Sequence, residues 1–392
     1  MRHLVCLLSQ QLLPNYQTVK HFEPDRVWRI ASNGTRHLDD RFREALKRNF
    51  PHVLLPAIDA YIVDAHWMLP CYEAVEGLLD AYPADEWIIN ATGGTKMMAG
   101  GALAAALNAG AKRNVDGREM VRTVYIDLQQ PGLIFDALTG KSEEMHVSMD
   151  AIEYLTLYGM ESWAPDRYWE PDWASLARQW CAYGASLLPF VLTQDDLSKV
   201  RREGCERGNL VWLRQFPEAV RETIERLIAG QSRVNNWQMR FFTGDFLDVF
   251  MSDLLVSYKD ALGLDSIYTG VKDRTREVGE VDLCASRGGE LFVVECKSGV
   301  QSRAHADLQS HIGQLVGNLR GIGAKNARGL LVTSGRNALD GQGHLSEYAR
   351  TLLNRNGIGI LIDSQIKTLA KNFDNADVVL PILKDWLGGA PG

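Results

Sequence analysis

From residue 1 to about 150 the chain alternates short apolar runs with amphipathic stretches, and no other feature constrains its fold as much. "HLVCLL" (3–8), "HVLLPAI" (52–58), "EWIIN" (86–90) and "RTVYIDL" (122–128) read as strands, while "RFREALKRNF" (41–50) and "MAGGALAAALNAG" (98–110) carry helical spacing. Strands that alternate with helices pair in parallel, because each helical crossover returns the chain to the same end of the sheet. The expected N-terminal domain, over 1–150, is therefore an α/β sheet with helices on both faces.

The pattern changes near residue 150. "MESWAPDRYWEPDWASLARQWC" is rich in Trp and Pro, and "LVWLRQFPEAVRETIERLIAG" shows apolar residues at helical spacing up to a capping Gly230. Residues 151–234 are thus expected to be a mostly helical connecting region, with room for a small winged-helix-like module. A third unit, 235–392, opens with the amphipathic helix "GDFLDVFMSDLLVSYKDAL" (244–262). Two strands follow, then the helix "ADLQSHIGQLVGNLRGIG" (306–323) and the strand "RGLLVTS" (328–334), an αββαβ order.

A length of 392 residues suits two or three domains, and 46% hydrophobic with 23% charged residues is the profile of a soluble globular protein. No run approaches the ~20 apolar residues of a membrane helix. The opening "MRHLVCLLSQQLLPN" lacks a small-residue cleavage site and reads as a first strand, not a signal peptide. Cys6, Cys71, Cys181, Cys205, Cys284 and Cys296 form no CxxC pair, which argues against a zinc ribbon or a secreted disulfide framework and for a cytoplasmic protein. The net charge of -7 does not point to nucleic acid, but the local field of a cleft decides that matter.

The chemistry concentrates in "GEVDLCASRGGELFVVECKSG" (279–299), two apolar strands that carry Glu280, Asp282, Glu295 and Lys297. Alternation puts Glu280 and Asp282 on one face of the first strand and Glu295 and Lys297 on one face of the second, with Arg287-Gly288-Gly289 as the turn. Buried charges must be paired or metal-bound. Clustered carboxylates call for a hard cation such as Mg²⁺ or Mn²⁺, and the metal ligands read here are Asp282, Glu295 and Glu280. A bound ion polarises a phosphodiester and acidifies water, and a lysine offsets the charge that develops. Against this stands a solvated hairpin with cross-strand ion pairs.

In the N-terminal domain, "IINATGGTKMMAGG" (88–101) places Thr92, Gly93, Gly94, Thr95, Lys96 and Met97 between a strand and the start of a helix, where backbone N–H groups favour anions. The spacing is neither a P-loop nor a dinucleotide fingerprint. The first strand adds "LLSQQLLPN", whose Ser9, Gln10, Gln11 and Asn15 are expected at the same edge of the sheet. Two polar loops on one edge suit an anionic, hydrogen-bonding ligand such as a nucleotide.

The C-terminal pattern resembles the PD-(D/E)XK nuclease superfamily, with Asp282 as the first acid and Glu295-Cys296-Lys297 as the Glu-x-Lys element. Asp248 stands where that family has an acid on the preceding helix, usually Glu, and Gln314 on the following helix is a further candidate. Ser9, Gln11, Pro14 and Asn15, with Thr92 to Lys96, resemble motifs of the CARF nucleases of type III CRISPR defence. The resemblance implies a Rossmann-like CARF domain joined to a restriction-endonuclease-like α/β domain. It implies a homodimer that binds a cyclic oligoadenylate, above all cyclic tetra-adenylate, and then cleaves single-stranded RNA or DNA, or nicks duplex DNA, with Mn²⁺ or Mg²⁺. The catalytic set is then Glu280, Asp282, Glu295, Lys297 and Asp248. Two other readings remain: a non-catalytic nucleotide sensor, and a restriction-type or junction-resolving nuclease without nucleotide gating. The basic run "KDRTREVGE" (272–280) is a candidate nucleic-acid contact. Trp163, Trp169, Trp173 and Trp180 are expected to pack helices rather than stack bases.

Overall fold

A computed structural model of the chain describes residues 1–56, 59–112, 114–115, 118–127, 132–145, 147–160, 162–163, 171–183, 218, 221–222, 225, 236–273, 280–298, 305–322, 327–335 and 338–388. The chain forms two compact units, one built on Met1–Ser162 and the other on most of Trp163–Gly392.

The first unit runs β1 (Arg2–Leu7), α1 (Leu13–Phe22), β2 (Arg26–Ser32), α2 (Leu38–Asn49), β3 (Tyr61–Val63), α3 (Met68–Ala81), β4 (Glu86–Asn90) and α4 (Lys96–Lys112). The short strands β5 (Asn114–Val115) and β6 (Arg118–Glu119) pair with each other, and β7 (Val121–Ile126), β8 (Leu133–Asp136), β9 (Ser142–Glu144) and α5 (Ala151–Leu157) complete it. Its sheet has the order β3-β2-β1-β4-β7-β8-β9. The first five strands are parallel, and β8 and β9 extend the sheet antiparallel. The chain winds outward from β1 to β3 and then returns to β4 on the other side of β1. That reversal between β1 and β4 is the topological switch point at which open α/β sheets bind ligands. β1 and β4 are buried almost throughout, as strands covered on both faces must be.

Among the described residues the expected strand at 52–58 does not form. Described residues 52–56 contribute one isolated bridge at Leu54, and the run's remaining residues lie outside the described set. The strand that pairs with β1 on the side away from β4 is β2, "RVWRIAS", whose two arginines mask an otherwise apolar run. Arg29 is tolerated inside because its Nε donates to Asp39 Oδ1 at 2.6 Å, a buried ion pair.

The second unit has a sheet of order β10-β11-β12-β13-β14-β15: β10 (Ser162–Trp163), β11 (Ser266–Asp273), β12 (Val281–Arg287), β13 (Glu290–Lys297), β14 (Ala327–Thr333) and β15 (Ile358–Ile362). β13, β14 and β15 are parallel. Its helices are α6 (Pro171–Tyr183), α7 (Asn236–Arg240), α8 (Phe246–Ser257), α9 (Lys259–Leu262), α10 (His305–Gly321), α11 (Glu347–Asn356), α12 (Asp363–Lys371) and α13 (Ala376–Gly388). β11 is one strand more than the αββαβ reading allowed, because "SIYTGVKD" has too little apolar content to stand out.

Of the region 151–234, α5 packs against α2 in the first unit and α6 joins the core of the second, where Trp173 and Trp180 are buried. Trp180 stacks on Phe246 at 5.5 Å, and Trp173 meets Trp237 edge-on at 4.6 Å, so both serve packing. Trp169, the side chain of Trp163 and the winged-helix-like module lie outside the described residues, as do residues 274–279 of the basic run; of the helical run ending at Gly230 only 218, 221–222 and 225 are described, and these are helical.

Candidate functional site

In the first unit, the loops after β1 and β4 stand side by side at the switch point. Gly93 is packed so tightly that a Cβ there would lie 1.9 Å from the Leu7 carbonyl oxygen, so only glycine lets the second loop lie on the end of β1. Gly94 has φ +71°, a left-handed turn that delivers the chain into α4. Thr95 Oγ1 donates to the Ala65 carbonyl at 2.6 Å, and the Thr92 hydroxyl accepts from Ile126 N at 2.8 Å. Ser9 and Gln11 bond to each other within the first loop, Gln11 N donating to Ser9 Oγ at 3.2 Å.

Asn15 does not line the edge. It is fully buried in α1, and its Nδ2 donates to the Leu7 carbonyl at 2.8 Å. Its partner is Asn90 at the end of β4, also fully buried, which donates to Asn15 Oδ1 and to Thr18 Oγ1, each at 2.9 Å, and accepts from Thr92 N at 3.0 Å. Sequence reasoning missed Asn90 and Thr18; a lone amide closing an apolar strand was the available signal. Gln10, Thr95, Lys96 and Met97 are exposed along the edge, and among the described residues Lys96 forms no ion pair.

In the second unit the hairpin forms as expected. Gly288 and Gly289 have φ +55° and +86°, the pair of positive values a tight two-residue hairpin turn requires. β13 is buried from Leu291 to Cys296, and it carries Glu295 inward at 1% exposure. Lys297 pairs with Glu295 Oε1, and its Nζ lies 3.5 Å from Asp282 Oδ2. The Cys296 backbone N–H donates to that same Asp282 oxygen at 2.8 Å, which locks the first acid to the Glu-x-Lys strand. Glu295 Oε2 is buried with no partner among the described residues. Glu280 is half-buried and ion-paired to Lys272 at 3.3 Å.

The helical acid arrives after a kink at Gly244, whose extended φ of 168° interrupts the helical backbone of Phe241–Asp245 between α7 and α8. Asp248 sits in the first turn of α8, within the field of Asp282, Asp245 and Lys297. Arg240 balances Asp245 at 2.9 Å. Gln314 lies exposed on α10.

The electrostatics match an anionic cluster short of positive charge. Burial, then the neighbouring Asp282, pushes the Glu295 carboxyl up to about 7 despite Lys297. Asp248 is raised well above the carboxylate range, first by burial and then by Asp282, and Asp282 itself is raised, first by burial. Burial works against the Lys297 ammonium, but Asp282 and Glu295 outweigh it and raise its pKa. Among the described residues no three His, Cys, Asp or Glu side chains already converge as a metal cage. The donor set still fits a hard divalent cation: it is all oxygen, it holds its charge only against desolvation, and one buried carboxylate oxygen has no partner.

Comparison with known proteins places the first unit. Residues 3–109 match the family model of the Card1 CARF domain, so this stretch of the chain is similar to that domain. No curated protein matches the sequence. The whole chain resembles the structure of Can2 from Sulfobacillus thermosulfidooxidans in complex with cyclic tetra-adenylate, at 18% identity, TM-score 0.71, and 95% and 98% coverage of the two chains. It also resembles the crystal structure of protein VC1899 from Vibrio cholerae, at 14% identity, TM-score 0.74, and 100% and 99% coverage. A type III CRISPR defence DNA nuclease activated by cyclic oligoadenylate is similar at 19% identity and TM-score 0.55, over 91% of this chain and 52% of that one. At these identities the likenesses establish a shared fold.

Proposed function

We propose that the protein is a cyclic-oligoadenylate-activated, divalent-metal-dependent endonuclease of type III CRISPR defence, cleaving single-stranded RNA or DNA. One observation carries the catalytic half: a buried Glu295 joined to Asp282 through Lys297 and the Cys296 N–H, on a hairpin with a third acid, Asp248, nearby. The sensing half rests on the CARF match and on the paired loops at the switch point. The Can2 likeness supports cyclic tetra-adenylate as the ligand.

Asp282 and Glu295, with Glu280 or Asp248, would hold the ion. When bound, Mg²⁺ or Mn²⁺ supplies Lewis-acid polarisation of the scissile phosphate and acidifies a water. Lys297 would orient the attacking water and neutralise charge on the pentavalent transition state. The Cys296 N–H fixes Asp282, so the two carboxylates keep a constant spacing. On the sensing side, the exposed Lys96 and the N-terminus of α4 attract phosphate, and Gln10 and Ser9 offer hydrogen bonds to the ring.

A two-fold ring suits a symmetric dimer, in which both copies present the same patch. Trp67 (65% exposed) and Leu69 (61%) at the start of α3, together with Met97 on α4, leave apolar surface beside the second loop for a second copy. Pairing of Lys297 with both carboxylates favours the other reading, a non-catalytic sensor whose cluster needs no ion. Titration with Mn²⁺ separates the two: saturable binding that is lost in Asp282→Asn supports the nuclease, and no binding supports the silent sensor.

A further inference from the structure

We infer that Asn90, acting with Asn15 and Thr18, is a positioning residue that holds the two ring-binding loops in their ligand-ready arrangement. The inference rests on the cyclic-oligoadenylate reading of the first unit and adds to it residues that do not themselves face the ligand edge.

The network has a direction that two backbone groups dictate. The Leu7 carbonyl can only accept, so Asn15 must turn its Nδ2 toward it at 2.8 Å and its Oδ1 toward Asn90. The Thr92 N–H can only donate, so Asn90 must turn its Oδ1 toward it at 3.0 Å and its Nδ2 toward Asn15. Thr18 donates to the Pro14 carbonyl at 2.7 Å, which leaves its oxygen to accept the other Nδ2 proton of Asn90. Both amides are fully buried, and the two backbone groups fix the orientation of each.

The geometry explains why this is a ligand device and not ordinary core packing. Leu7 ends β1 and opens the first loop, Thr92 opens the second, and beyond the last β1–β4 pair, Cys6 with Asn90, the side chains of Asn15 and Asn90 join the two loops. Gly93 lies against the same Leu7 carbonyl. The loops therefore keep one relative position before any ring arrives, and a ring that touches both finds its donors already placed. Preorganisation of this kind appears in affinity, because the ordering cost is met in folding.

Isosteric Asn→Asp changes break the polarity without changing shape. Asn90→Asp sets a carboxylate oxygen against Asn15 Oδ1, and Asn15→Asp sets one against the Leu7 carbonyl. Full-length wild type, Asn90→Asp, Thr18→Val and Thr18→Ser are titrated with cyclic tri-, tetra- and hexa-adenylate by calorimetry, after circular dichroism confirms folding. The inference expects Asn90→Asp to bind about tenfold more weakly or worse, with a more unfavourable binding entropy. Thr18→Val should weaken binding several-fold, and Thr18→Ser, which keeps the hydroxyl, should restore it. If Asn90→Asp does not fold, the Thr18 pair decides alone. Wild-type affinity and entropy in folded Asn90→Asp, or equal affinities for Thr18→Val and Thr18→Ser, overturn the inference while leaving the ligand reading intact. A wild type that binds no ring overturns both.

Discussion

Glu295 is a carboxylate that costs stability where it stands. It is buried on a strand otherwise built of Leu, Phe, Val and Cys, with Lys297 as its counter-charge. Burial of such a pair is at best neutral for folding, so its retention points to chemistry. Glu295→Gln keeps the shape and removes the charge. It should lower ring-stimulated cleavage at least ~100-fold while leaving the denaturation midpoint unchanged or higher. Cleavage at the wild-type rate would remove Glu295 from the reaction. Asp282, Glu295 and Lys297 were legible in the sequence because charge at alternate positions of an apolar strand has few explanations. Asn15 was misplaced for the opposite reason: a polar side chain near a loop reads as ligand-facing unless its backbone partner is known.

His3 offers a separate test at the same scale. It is buried in β1, and its Nε2 meets Asp85 Oδ2 at 2.9 Å. Burial lowers its pKa, partly opposed by Asp85, while bonds to the N-terminus and His3 lower that of Asp85. A histidine with a depressed folded pKa binds its proton more readily when unfolded, so stability falls as pH drops below its ordinary value of 6.5. The depressed Asp85 removes further stability in the carboxylate range. Melting of the protein followed from pH 7.5 to 5 should show a falling midpoint for the first unit, and His3→Gln should flatten the upper part of that fall.

Among the elements, β1, β4 and the β12–β13 hairpin were readable from apolar runs bounded by turns. β2 and β11 were not, since arginines in one and threonine, glycine and lysine in the other blur the pattern that burial would otherwise leave. The contact between α3 and α4 was also invisible, although its cause is plain in "MMAGGA". A Cβ on Gly101 would stand 2.3 Å from the Met68 carbonyl and 3.0 Å from Tyr72 N, so the helices touch backbone to backbone. Gly101→Ala must part them. The expected cost is about 1–3 kcal/mol in urea unfolding, with weaker ring binding because Met68 and Thr95 shift together. An unchanged midpoint would show that the helices separate freely.

At the scale of the molecule, no described helix is long and apolar enough to cross a membrane. The apolar patch of Trp67, Leu69 and Met97 predicts a dimer. Light scattering should give twice the mass of one chain, and Trp67→Glu with Leu69→Glu should give monomers that bind the ring poorly. A dimer that survives both changes would place the interface elsewhere. The sequence reading divided the chain at 150 and 234, and the described helices of the connecting region 151–234 are shared between the two units, α5 packing in the first and α6 in the second. The proposed function couples a signal at the β1/β4 edge to hydrolysis at Asp282, Glu295 and Lys297. Its direct test is cleavage of labelled single-stranded RNA and DNA with Mn²⁺, with and without a panel of cyclic oligoadenylates. Cleavage only when both ring and metal are present, abolished by Glu295→Gln, is the predicted result; cleavage under no condition, or equal cleavage without any ring, would contradict it.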